Sequence, residues 1–386
     1  MIDREHLLAI RPVGARLIAP EAREEETRVT PWQRPAFPVR RIAIFRALYL
    51  GDLLLAVPAL RAIRAGFPEA EITLIGLPWA ASFAQRYRHY IDRFVEFVGY
   101  PGIREVAFVP EQALRFIVEQ RACHYDVVIQ MHGSGKTSDR LAIALGGRVT
   151  VGYYDNVQPA GLTLGQPYPD HWPEVFRNLG LAYLLGCPNG YPELEFPLFA
   201  EDQREAAALL RALPRANRPW IGLHTGSRSP ARRWPVEYFA ALADMLVERL
   251  GVQILLTGNA DELTTVHDVI ARMHAPALNV AGKTSLGGLA ALIGELDLFI
   301  SNDTGPAHIA NAVDTPSITL FGPVDPRRWA ARNRVRHPII RQPVACSPCG
   351  YWECPIDHRC MRRITPAMVL AQAEELLLEG AINCNA

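Results

Sequence analysis

RRIAIFRALYLGDLLLAVPALRAIRAGFPEAEITLIG, residues 40–76, decides the fold. Its first seven residues hold a short unbroken apolar run, which reads as a buried strand. From Leu53 to Phe67 the apolar residues recur at helical spacing and stop near Gly66 and Pro68. EITLIG, residues 71–76, is a second apolar run. Strand, helix and strand within so short a length make a βαβ unit, and βαβ units build a parallel sheet.

The same alternation extends outward. RFVEFVG, YDVVIQ and RVTVGY read as strands, separated by helical stretches at WAASFAQRY, EQALRFIVEQR and SDRLAIALGG. Residues 154–170 are rich in Pro and Gly and read as a loop before the helical HWPEVFRNLGLAYLLG. Prolines then crowd residues 187–218 around one helical stretch, EDQREAAALLRAL, which marks an interdomain linker. The alternation restarts with WIGLH (220–224), VQILLTG, LNVAG, DLFIS and SITLFG as strands, and the chain ends on the amphipathic PAMVLAQAEELLLEG. This pattern predicts an α/β protein of two successive doubly wound domains, over 39–200 and 201–365. A C-terminal helix occupies 366–386. Residues 1–38, with the acidic run EAREEE and prolines at 31, 35 and 38, read as a loosely attached N-terminal extension.

Composition narrows the function. The chain has 386 residues, 49% of them hydrophobic and 21% charged, which fits a folded globular protein. Forty basic residues balance forty acidic ones, so no bulk charge points to nucleic acid. Only Lys136 and Lys283 are lysines, which makes arginine the default cation. No stretch reaches the ~18–20 apolar residues of a membrane span, and the N-terminus lacks the pattern of a signal peptide, so a cytoplasmic location is expected. HGSGKTS (132–138) suggests a P-loop, but Gln130 stands where the first glycine of that motif belongs. No GxGxxG follows the first strand, which counts against a nicotinamide or flavin enzyme.

Four strand ends carry polar residues beyond what regular structure requires. Gly51 and Asp52 lie between the first strand and its helix, where Asp52 is either a functional carboxylate or an N-cap. HTGSRSPARRWP (224–235) offers Thr225, Ser227 and Arg232 beside a helix start. That combination suits a phosphate as well as it suits a solvated basic loop. In TGNADE (257–262), Asp261 stands where a carboxylate pairs with ribose hydroxyls, or caps a helix. SNDTGPAHIANA (301–312) sets Asp303, Thr304, Gly305 and His308 at one helix mouth, more than capping needs.

The ordered motifs RALYLGDLLLAVPALRAIRAGFP, HTGSRSPARRWPVEYFAALA and AGKTSLGGLAALIGELDLFISNDTGPAHIANAVDTPSITLFGP resemble those of glycosyltransferase family 9, the ADP-heptose:lipopolysaccharide heptosyltransferases. The resemblance spans about residues 39–380. It implies a GT-B architecture, two Rossmann-like domains facing across a cleft, with the acceptor on the first domain and the nucleotide sugar on the second. It also implies that the last helix packs back toward the first domain. The implied reaction is inverting transfer of a sugar, heptose from ADP-heptose, to a lipopolysaccharide-core or similar acceptor, with no catalytic metal and no cofactor.

Carried over by motif, Asp52 is the general base. Thr225, Ser227, Arg232, Asp261, Asp303, Thr304, Gly305 and His308 bind the donor. Arg232 stands where many members have lysine, and Asp261 where glutamate is common. Lys136, at a strand end of the first domain, could meet an anionic acceptor. The implied partners are an ADP-sugar and a glycolipid or oligosaccharide, with peripheral contact at the inner membrane and no nucleic acid. A sugar-nucleotide epimerase or hydrolase on the same scaffold, or a non-catalytic sugar-nucleotide binder, are the alternatives. Cys346, Cys349, Cys354 and Cys360 crowd into a short tail with His358. Zinc or disulfides are open to them, and a structural role is expected.

Overall fold

The computed structural model describes residues 37–187, 190–211 and 218–383. The expected extension therefore lies outside the described residues up to position 36, as do parts of the expected linker. The chain forms two compact units. The first takes the described residues up to Leu48, with Ala56–Asp170 and Val175–Pro192; the second takes Tyr49–Leu55, His171–Glu174 and the chain from Glu193 onward.

Each unit is built on one six-stranded sheet. The first contains β1 (Arg41–Phe45), β2 (Glu71–Gly76), β3 (Arg93–Glu96), β4 (Val127–Gln130), β5 (Val149–Tyr154) and β6 (Leu164–Pro167), in the order β3-β2-β1-β4-β5-β6. The second contains β7 (Trp220–His224), β8 (Gln253–Thr257), β9 (Ala277–Asn279), β10 (Leu298–Asn302), β11 (Ser317–Leu320) and β12 (Ile339–Ile340), in the order β12-β11-β10-β7-β8-β9. Read from β9, the second order repeats the first. All pairs are parallel. Sheets of this kind are covered on both faces, which is why Ile42, Ala43, Ile44 and Phe45 are all fully buried and the strand reads as an unbroken apolar run.

Two features differ from the sequence reading. The single helix expected from Leu53 is two, Leu50–Leu54 and Val57–Gly66, the second admitting Pro58 in its first turn. The Pro- and Gly-rich segment 154–170 contains β6, an edge strand whose Pro167 costs no ladder bond on the open side.

The winding reverses direction between β1 and β4, and again between β7 and β10. At each reversal the loops that leave the two strands diverge, which opens a crevice at the carboxyl ends. Buried Arg46, just past β1, donates to Met131 O beyond β4 and, at 3.0 Å, to Asn178 Oδ1 of the Glu174–Leu184 helix. Trp234 fastens the second unit. Its indole Nε1 donates to Ile364 O at 2.8 Å, and its ring meets Tyr238 and Phe239 edge-on. The final helix, Pro366–Asn383, packs on the Val236–Leu250 helix and on β10 and β11.

Close packing fixes one glycine in β7. A Cβ at Gly222 would lie 2.5 Å from Leu296 Cδ1 and 2.9 Å from Phe299 Cδ2. Gly222→Ala is expected to lower stability by about 1–3 kcal/mol through overpacking. Urea unfolding of the full chain checks this, and an unchanged midpoint contradicts it.

Candidate active site

The crevice of the second unit gathers residues from three distant parts of the sequence. The β7 loop brings Thr225, Ser227 and Arg232, the end of β10 brings Asp303, and the helix Gly305–Ala312 brings His308. The short helix Leu50–Leu54, grouped with this unit, brings Asp52. Gly51 is pressed against the His308 ring, where a Cβ would come 2.8 Å from Cδ2. Gly305 packs as tightly on Leu50, its Cβ position lying 3.0 Å from Leu50 Cδ2. Two glycines thus let two helix N-termini approach where any side chain would hold them apart.

Asp52 is not the N-cap of its helix. Tyr49 occupies that position, and Asp52 stands in the first turn. Burial pushes nearby Asp303 up to about 6; the Arg232 guanidinium acts in the opposite sense, and the charge of Asp52 adds a smaller rise. Arg232 Nη1 lies 3.1 Å from Asp303 Oδ2 and is partly open to solvent. His308 is pulled down to about 4, first by burial and then by the Arg232 charge, and is neutral at pH 7.

Donors surround this charge cluster. Thr304 is the N-cap of the Gly305–Ala312 helix, yet its hydroxyl makes no capping bond. Pro306 takes an early position in the first turn, where its missing N–H costs nothing. Thr225 is 1% exposed and its hydroxyl has no hydrogen-bond partner. Ser227 is also buried, and its carbonyl accepts from Arg233 Nε at 2.8 Å. The half-buried start of this helix, an arginine and an orphaned hydroxyl make a set suited to an anion.

Asp261 does not cap a helix either. It is exposed in the turn Ala260–Glu262, and Asn259 is the cap. Its neighbour Glu262 is the buried carboxylate. Glu262 closes a capping box with Asn259, lies 3.8 Å from His224 Nε2, and would touch a Cβ on Gly226. Sequence reasoning passed over Glu262, although Asn-x-x-Glu is a legible capping pattern. It also passed over Asn302, whose side chain ties three backbone groups. Arg228, one of the arginines of the HTGSRSPARRWP loop, stacks 3.5 Å over the Tyr49 ring.

Lys136 belongs to the first unit and is exposed. It lines a hollow of about 230 Å³ with Arg104, Glu105, His132 and Ser138. Below the hollow, Asp139 is pushed up to about 7 by burial, against a hydrogen bond from Gln130 that acts the other way. Gly135, at φ 85°, holds the loop turn where a Cβ would strike Tyr153 O.

The four clustered cysteines line one small cavity of about 40 Å³ together with His358. All four are free thiols. Among the described residues, no group of three or more His, Cys, Asp or Glu side chains is disposed to hold a metal ion.

With this geometry in place, comparison with known proteins gives the class. The profile of glycosyltransferase family 9 (heptosyltransferase) matches residues 113–359, so the chain belongs to that family. Lipopolysaccharide heptosyltransferase 2 of Salmonella typhimurium is 24% identical over 374 residues, covering 89% of this chain and 100% of that one. Lipooligosaccharide heptosyltransferase 2 of Campylobacter jejuni is 29% identical over 161 residues, and there the match spans only 50% of that relative's length. The structure of Escherichia coli ADP-heptose lps heptosyltransferase II superposes with a TM-score of 0.68 at 22% identity, over 89% of this chain and 99% of that one. A glycosyl transferase family 9 structure from Veillonella parvula gives 0.71 at 22%, over 91% and 100%. These likenesses fix the fold as GT-B, a pair of Rossmann-like halves.

The perturbed pair sets a pH dependence. His308 is depressed, so its contribution to stability is full above about pH 6.5 and lost as pH falls through about 4. Asp303 is raised, so its contribution is full below about pH 3.9 and lost as pH rises through about 6. The two oppose each other in one window, and a single variant separates them. In His308→Gln the stability lost between pH 7 and pH 4.5 is expected to shrink by about 2 kcal/mol. Urea unfolding at both pH values measures this; an unaltered difference refutes it.

Proposed function

We propose that this chain transfers a heptosyl group from ADP-heptose to a lipopolysaccharide-core acceptor, with inversion at the anomeric carbon. One observation carries the reading. Asp52, Arg232, Asp303 and His308 share one electrostatic neighbourhood, although they come from three distant parts of the sequence. Family membership and the names of the relatives supply the substrate class.

In this reading the acceptor hydroxyl attacks the anomeric carbon from the side opposite the diphosphate. The new carbon–oxygen bond forms as the bond to the β-phosphate oxygen breaks. Asp52 accepts the hydroxyl proton. Charge grows on the departing ADP, where Arg232 and the N-terminus of the Gly305–Ala312 helix receive it. The Thr225 hydroxyl and Ser227 complete the phosphate cradle, and Thr304 and Gly305 border the sugar. Neutral His308 contributes a hydrogen bond without adding a cation. The ribose falls to the Asp261–Glu262 turn, with Asp261 exposed for contact and Glu262 shaping the turn behind it. Lys136 and its hollow in the first unit suit an anionic group of the acceptor. An acceptor anchored in lipid would bring the protein to the cytoplasmic face of the inner membrane as a peripheral partner. No helix among the described residues is long and apolar enough to cross a membrane.

Asp52→Asn is expected to lower kcat by about 10²–10⁴-fold with donor affinity nearly unchanged. Turnover of ADP-heptose by a folded variant at the normal rate would remove Asp52 from the role. Arg232→Ala should weaken ADP binding by about 1.5–3 kcal/mol, and Arg232→Lys by much less. Calorimetry with ADP separates the three proteins.

A further inference from the structure

The tail that carries the cysteines touches the donor loop at its centre. Ser229 Oγ donates to Trp352 O at 2.7 Å, and Ala231 N donates to the same carbonyl at 3.1 Å. His358 Nε2 lies 2.6 Å from Ala231 O and donates to it. Both backbone polar groups of Ala231 are therefore held by residues more than a hundred positions away. The next residue in the chain is Arg232. Arg228, at the other end of the same turn, has its guanidinium 5.3 Å from the Trp352 ring.

The tail is itself anchored. Cys349 N donates to Pro323 O at 2.8 Å, and Ser347 Oγ donates to Gly322 O at 2.6 Å. Cys360 and Met361 are buried in the core of the second unit. His358 adopts a left-handed backbone, φ 57° and ψ 30°, and its amide donates to Cys354 Sγ at 3.3 Å. A non-glycine residue in that region costs on the order of 1 kcal/mol or more, and here the imidazole it presents lands on Ala231. The ends of the loop have separate supports, because Asn302 holds Thr225 O, Gly226 O and Trp234 N. The tail thus governs only the middle of the loop, around Arg232.

We propose that His358 and the Trp352 carbonyl clamp the loop 228–232, and that this clamp positions the Arg232 guanidinium for the donor diphosphate. His358 is then a positioning residue, acting through Ala231 without touching the donor. The inference rests on Arg232 being a diphosphate ligand.

A double-mutant cycle read by ADP calorimetry tests it. His358→Ala is expected to weaken ADP binding by about three- to tenfold, the worth of one loop-holding hydrogen bond. His358→Gln, which keeps an N–H donor, should recover most of that loss. In an Arg232→Ala background the His358→Ala change should have almost no further effect, because there is no guanidinium left to place. Equal losses in both backgrounds would show His358 acting elsewhere and would overturn the clamp. If Arg232→Ala weakens binding and His358→Ala does not, the clamp alone fails. If Arg232→Ala binds ADP normally, the reading of Arg232 fails first and the clamp loses its object. Ser229→Ala, which removes one bond from the Trp352 carbonyl, repeats the cycle should His358→Ala fold poorly.

Discussion

One buried amide holds the second unit's crevice in shape. Asn302, the last residue of β10, accepts from Trp234 N through its side-chain oxygen and donates to Thr225 O and Gly226 O through its nitrogen. No part of this side chain is open to water. Each of its bonds is therefore expensive to leave unmade, and together they fix where the β7 loop starts and where it rejoins a helix. Aspartate would lose the donor and leucine both functions. The path of the β7 loop, the placement of Arg232 and the seat of Trp234 all depend on an amide at that position.

The electrostatics of the crevice follow from how little water reaches it. Asp303 is buried beside one arginine, and the carboxylate of Asp52 adds a second negative charge to the same region. Burial lifts Asp303, the Arg232 guanidinium opposes the rise, and the Asp52 charge adds to it. Burial pulls His308 down to about 4, and the same arginine adds to the drop. In the proposed reaction the charge of a diphosphate is met by Arg232, by the start of the Gly305–Ala312 helix and by nearby hydroxyls. Such fixed groups need no reorganisation as charge develops.

Much of this was legible in the sequence. Central parallel strands are apolar on both faces, so β1, β2, β4, β7, β8 and β10 announce themselves as unbroken runs. Two of the four edge strands do not. β6 is four residues containing a glycine and a proline, and β12 is two residues, so neither carries a pattern to read. The break between Leu54 and Val57 was hidden because both short helices share one apolar spacing. Asp52, Arg232, Asp303 and His308 were visible as polar residues at strand ends. Glu262 was missed by one position, because the Asn-x-x-Glu capping pattern that turns it inward was not weighed against its neighbour Asp261. The bonds from Trp352 and His358 to the Ala231 peptide have no local signature, since each joins backbone to residues over a hundred positions apart.

The repeated winding order has an evolutionary consequence. Each sheet secures its crevice by its own ladder, β1 with β4 in one and β7 with β10 in the other. A loop at the end of β4 can be lengthened, recharged or replaced without disturbing a single hydrogen bond between β7 and β10. The two halves can accordingly drift at different speeds. One crevice can keep a fixed chemistry over long lineages while the other is rewritten for new molecular surfaces, and divergence among relatives should collect at the strand ends of one sheet before it touches the other.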